Sequence, residues 1–214
     1  MAYKEIVVHL DGSKRQDQLV KAAIGFARKR DARLIGVYAG MTYELPAYVE
    51  VQLPADILDM HLKNLKEAIE ESVTAFRQAA EKEGIAFDVR ETEGDVAARI
   101  CLHTRYADLA IIMQPDRKDD GAGARRDVVD HIVLGAGAPV LIIPTGWKKN
   151  TIGSRIIVGW DGSMQAARAG RDALPLLREA ESVHVVTVGK KISSHVPGAD
   201  YAKYLAAHGV DVVV

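Results

Sequence analysis

The sequence predicts an α/β fold: a parallel five-stranded doubly wound sheet, followed by the first βαβαβ half of a second copy. Three observations carry this. Short β-branched runs alternate with segments whose apolar residues recur at helical spacing. The strand runs are apolar on both faces, as strands covered by helices on each side must be. The opening run Ile6-Val7-Val8-His9-Leu10-Asp11-Gly12-Ser13 returns 150 residues later as Ile156-Ile157-Val158-Gly159-Trp160-Asp161-Gly162-Ser163.

Residues 6–10 form the first strand, and Asp11-Gly12-Ser13 is a turn able to open a helix. Over 16–30 the residues Leu19, Ala22, Ala23, Phe26 and Ala27 mark a helical face. Residues 34–39 read as the second strand, and 40–53, with Tyr43, Pro46 and Tyr48, as an excursion off its carboxyl end. A long helix spans 56–82 (Ile57, Leu62, Leu65, Ile69, Val73, Phe76, Ala80) and is capped by Gly84. Strand three follows at 86–92, a short helix at 95–106 and the wholly apolar strand four at 109–113. A mobile charged loop is expected at 114–124, then a helix at 127–134 and strand five at 139–143.

The polar stretch 145–154 (TGWKKNTIGS) is the best domain boundary, which gives a domain at 1–145, a linker at 146–154 and a partial second domain at 155–214. In the second copy, 166–179 repeats the first helix, 183–188 strand two, 201–208 the end of helix two and 211–214 strand three. A repeat of this length is a duplicated domain and not a solenoid. The chain therefore reads as one whole domain plus the amino-terminal half of another. Either it continues past Val214 or half a domain has been lost.

A length of 214 residues exceeds one typical domain of roughly 100–150 and falls short of two. At 48% hydrophobic and 27% charged, the composition excludes disordered and fibrous classes. A net charge of −1 offers neither nucleic acid nor an anionic membrane an electrostatic footprint. Cys101 is the single cysteine, so an intrachain disulfide framework is impossible. No secretory leader is evident, and no apolar run approaches the roughly 20 residues of a membrane helix. A soluble, cytoplasmic protein is expected.

In parallel sheets of this kind, ligands sit beyond the carboxyl ends of the strands. Asp11 there can accept hydrogen bonds from a ribose or help hold a metal. Ser13 and the helix N-terminus can bind an oxyanion through free N–H groups. The plain alternative, a turn plus helix cap, explains Asp-Gly-Ser equally well, although its return as Asp161-Gly162-Ser163 favours function.

The surrounding residues identify more. A hydrophobic strand ending in Asp11-Gly12-Ser13, then Ala32-Arg33-Leu34, a long helix closing at Gly84, Ala107-Asp108-Leu109, and finally Ala138-Pro139-Val140-Leu141-Ile142-Ile143-Pro144 follow in order. Together they resemble the universal stress protein family, in a tandem form. The resemblance implies strand order 3-2-1-4-5, ATP as the cofactor of many members, and association through strand five. It places nucleotide contacts at Asp11, Gly12, Ser13 and Val37, with Asp161 in the second copy.

ATP-binding members carry G-x2-G-x9-G-[ST] after strand four, where glycines let backbone N–H groups approach the phosphates and a hydroxyl adds a donor. Here Met113, Asp116 and Arg126 hold the three glycine positions and Asp127 the hydroxyl position. Two carboxylates beside a triphosphate repel it by roughly 1–4 kcal/mol at about 4 Å. The first domain is therefore expected to be degenerate for ATP.

The seven histidines lack metal-ligand spacing, and His9 and His184 are expected to pack within strands. Cys101 reads as a buried thiol, and Trp147 and Trp160 as packing near the joint. Neither a nucleophile elbow nor a phosphate loop of the Walker type is present. A nucleotide-related binding or interaction module in stress response is expected, not an enzyme; a nucleotide hydrolase or transferase of similar fold is the competing reading. A homodimer through residues 139–144 is expected, because that edge strand is strongly apolar.

Overall fold

The structure, a computed structural model, describes residues 2–40, 55–115, 126–149, 151–189 and 198–213. It divides into two compact units, residues 3–150 and residues 151–214 with the first two residues.

In the larger unit, β1 (Glu5–Leu10) leads to α1 (Gln16–Arg28), β2 (Arg33–Gly40), α2 (Ala55–Lys82) and β3 (Phe87–Glu93). Then come α3 (Val96–Thr104), β4 (Leu109–Met113), α4 (Arg126–Gly135) and β5 (Val140–Ile143). The strands run parallel in the order β3-β2-β1-β4-β5. The reversal of winding at β1 puts α1 and α2 on one face and α3 and α4 on the other. Beneath α3 and α4, Val7, Ile35, Val37 and Ile112 pack against Val96, Ile100, Val129 and Ile132. On the other side, Gly36 leaves room for Phe76: a β-carbon there would stand 2.7 Å from Phe76 Cε1.

Local chemistry explains the ends. Asp95 caps α3 by accepting the Ala98 N–H at 2.8 Å. Gly84, at φ +64°, ends α2 in the left-handed conformation, and Ile85 N–H reaches back to Ala80 C=O at 3.0 Å.

The second unit holds β6 (Arg155–Gly159), α5 (Met164–Asp172), α6 (Leu174–Arg178), β7 (Ser182–Val186), α7 (Gly198–Ala207) and β8 (Val212–Val213), in the parallel order β6-β7-β8. That matches the β1-β2-β3 part of the first sheet. The single helix expected at 166–179 is two, broken at Ala173, because Pro175 brings no N–H and fits only a first helical turn. His184, expected to be packed, is exposed, and Ile157 beside it is 73% exposed. Their counterparts Val7 and Ile35 lie under α3 and α4, and no such layer covers this face of the second unit among the described residues. Trp160 packs inside its own unit instead of at the joint: its ring stacks on Tyr201 at 3.7 Å.

Candidate functional site

The parallel pairing of β2, β1 and β4 brings their carboxyl ends together, and with them Asp11-Gly12-Ser13, Tyr38 and Met113. Asp11 Oδ1 accepts the Ser13 N–H at 3.0 Å, a turn stabilised by its own side chain. Gly12 has φ +64°, which lets the chain bend there without strain. The Tyr38 ring lies over it, 3.8 Å from where a β-carbon would be. Burial, and then the Asp11 charge, push the Tyr38 phenol above its ordinary pKa, so the hydroxyl stays protonated.

Four of the N–H groups around this turn already have acceptors. Gly12 N–H donates to Gln16 Oε1 at 2.9 Å, Ser13 N–H to Asp11, and Arg15 N–H to Ser13 Oγ at 3.2 Å. Gln16 N–H closes on Ser13 C=O at 3.0 Å. The first helical position therefore follows Arg15, without a side-chain cap.

Val37 is wholly buried in the core under α3 and α4, so its side chain is closed to a ligand. Met113 ends β4 with its side chain buried. Arg126 is the first residue of α4, and Asp127, exposed, lies in that helix's first turn. Asp116 falls outside the described residues, as does most of the loop expected at 114–124. Asp161 belongs to the second unit, where its Oδ1 accepts the Ser163 N–H at 2.9 Å, just as Asp11 serves Ser13.

Gln16 went unanticipated as a buried residue, whereas His9 packs within β1 as expected. Gln16 is 5% exposed and bonds Ser72 in mid-α2. His9 is 4% exposed, shares the β1 face with Val7, and its Nε2 is buried without a hydrogen-bond partner. Burial lowers its pKa, with Asp11 opposing, so the ring is neutral. The place of His9 inside the apolar run 6–10 is the signal that made its packing legible.

Elsewhere, Arg90 donates to His103 Nδ1 at 3.1 Å, which fixes that ring as a neutral acceptor. Burial, then Arg90 and Arg99, lower the His103 pKa. Cys101 is half-buried, and burial raises its thiol pKa. Among the described residues no cluster of three metal-ligating side chains occurs, and no helix is long and apolar enough to cross a membrane. A groove of about 490 Å³ lies at the opposite, amino-terminal end of the sheet. Its charged rim pairs internally, Arg28 with Glu83 at 2.9 Å and Lys4 with Asp31 at 3.3 Å.

The family model described as the universal stress protein family matches residues 2–144. The chain belongs to the universal stress protein family. A universal stress protein of Archaeoglobus fulgidus is similar over 100% of this chain and 76% of that one, at 17% identity and TM-score 0.73. One from Lactobacillus plantarum is similar over 67% of this chain and 99% of its own, at 19% identity and TM-score 0.50. A family protein of Arabidopsis thaliana, solved with AMP bound, covers 66% of this chain and 91% of its own, at 15% identity and TM-score 0.46. No match is found among the curated proteins. As a universal stress protein the chain has the fold its sequence predicts, including the order 3-2-1-4-5.

Proposed function

We propose that this universal stress protein is a nucleotide-related binding and interaction module of the stress response, cytoplasmic and non-catalytic, whose first unit is degenerate for ATP. The observation that carries the reading is the phosphate side of the site. Met113 closes β4 where the family's ATP binders have glycine, and Asp127 sits in the first turn of α4 where they have a hydroxyl. A carboxylate there takes up the favourable end of the helix dipole that would otherwise draw a phosphate.

The loop after β1 supports the same reading, because the Gly12, Ser13 and Arg15 N–H groups are spent on Gln16, Asp11 and Ser13. What this end of the sheet still offers is the Asp11 carboxylate, which has no further hydrogen bond among the described residues. A carboxylate suits a sugar hydroxyl and repels a phosphate. The second unit, a repeat of the β1-to-β3 part, adds Asp161 in the same turn. Among the described residues β5 pairs only with β4, and Ile142 is 37% exposed, which supports a homodimer through that edge.

Restoring both donors and room tests the reading. The double variant Arg126→Gly, Asp127→Ser should bind Mg-ATP more tightly than the parent by calorimetry, and no gain sinks the degenerate-site account. Nucleotide hydrolysis should not exceed the buffer blank. A rate abolished by Asp11→Ala would instead establish a hydrolase.

A further inference from the structure

We propose that Gln16 is a positioning residue that latches the Asp11–Ser13 loop to α2, so that ligand affinity at this loop is set in part from Ser72. The affinity part rests on the reading of this loop as the ligand site.

Gln16 and Ser72 are both nearly fully buried. Gln16 Oε1 accepts two hydrogen bonds, from Gly12 N–H at 2.9 Å and from the Ser72 hydroxyl at 2.6 Å. Its Nε2 donates back to Ser72 C=O at 2.9 Å. One amide thus joins the tip of the loop to the middle of a 28-residue helix. A serine inside a helix commonly turns its hydroxyl onto its own preceding turn. Ser72 instead spends it sideways, on Gln16.

The internal repeat separates latching from turn formation. In the second unit Ala166 stands at the position of Gln16, and the turn forms nonetheless, with Asp161 accepting Ser163 N–H at 2.9 Å. There Ser163 Oγ accepts Ala166 N–H at 3.1 Å and caps α5, a bond that α1 lacks. Asp-Gly-Ser therefore needs no glutamine to fold. What Gln16 adds is a rigid link to α2, which fixes the Gly12 peptide and through it the direction of the Asp11 carboxylate. Movement of α2 is transmitted to that carboxylate.

The test uses the whole chain and two variants, Gln16→Leu and Ser72→Ala. The second leaves every loop residue in place and removes one donor on α2. Amide exchange at Gly12 should quicken about fivefold or more in Ser72→Ala, as expected for one weakened buried hydrogen bond, with the rest of α1 unchanged. Adenosine, titrated by the Gly12 and Ser13 amide signals, should bind each variant several-fold more weakly than the parent. Unchanged Gly12 exchange in both variants, or uniform quickening throughout α1, overturns the latch. Equal adenosine affinity in all three proteins, with altered exchange, overturns its effect on the ligand. If the parent fails to bind adenosine, the ligand-site reading falls, and Gly12 exchange alone still decides the latch.

Discussion

Replacing His9 by leucine should stabilise the larger unit. The imidazole sits in an apolar strand with Nε2 buried and unpaired, and a buried polar atom left without a partner costs about 1–3 kcal/mol. Leucine of similar volume removes that cost and incurs up to about 1.5 kcal/mol of imperfect packing. The expected net gain is about 1 kcal/mol, or a rise of roughly 2–4 °C in melting temperature for a unit of this size. Acid should widen the difference. Burial lowers the His9 pKa, so the unfolded chain takes up a proton at a higher pH than the folded one does. This contribution to stability is complete above about pH 6.5 and is lost as pH falls below it. The leucine variant lacks that loss at position 9. His103, whose pKa is lowered too, keeps some acid sensitivity in both proteins. Calorimetric melting of the 3–150 unit at pH 8 and pH 5 would measure both effects. A variant that melts lower at both values, or a gap independent of pH, would refute the reasoning.

Three further outcomes follow from close contacts and open edges. Gly36→Ala should destabilise the first unit by about 1–3 kcal/mol in denaturant melts, because its β-carbon would press on Phe76, and Phe76→Leu in the same chain should recover part of the loss. Gly170→Ala drives a β-carbon into the Tyr201 hydroxyl, which is buried and unpartnered; Tyr201→Phe alone should be neutral or stabilising, and combined with Gly170→Ala it should restore part of the stability. Light scattering at high micromolar concentration should give twice the 23.3 kDa chain mass, and a single-chain mass there would reject association through β5.

Hydrophobic periodicity is a local signal, so the elements of both units were legible in it, and the repeat of Asp-Gly-Ser marked equivalent strands. Contacts between distant residues were not legible. Gln16 and Ser72 lie 56 positions apart, and neither belongs to a motif, so the filling of the loop's N–H groups left no trace in sequence order. His184 was misread for a related reason. Alternation along a strand tells which residues share a face, but a separate layer must cover that face before they are buried. Pro175 did carry a local signal for the break between α5 and α6, and the helical period around it masked that signal. The phosphate-side residues Met113, Arg126 and Asp127 were placed by resemblance, and each stands at the end of β4 or the start of α4.

The central claim is that the first unit lacks the means to hold a triphosphate. Titration of Mg-ATP into the 214-residue chain by calorimetry tests it most directly. The account predicts weak binding or none, because buried Met113 and the Asp127 carboxylate stand where glycine and a hydroxyl would serve the phosphates. Saturable binding at one site per chain, tighter than about 10 µM or about −7 kcal/mol, would contradict it.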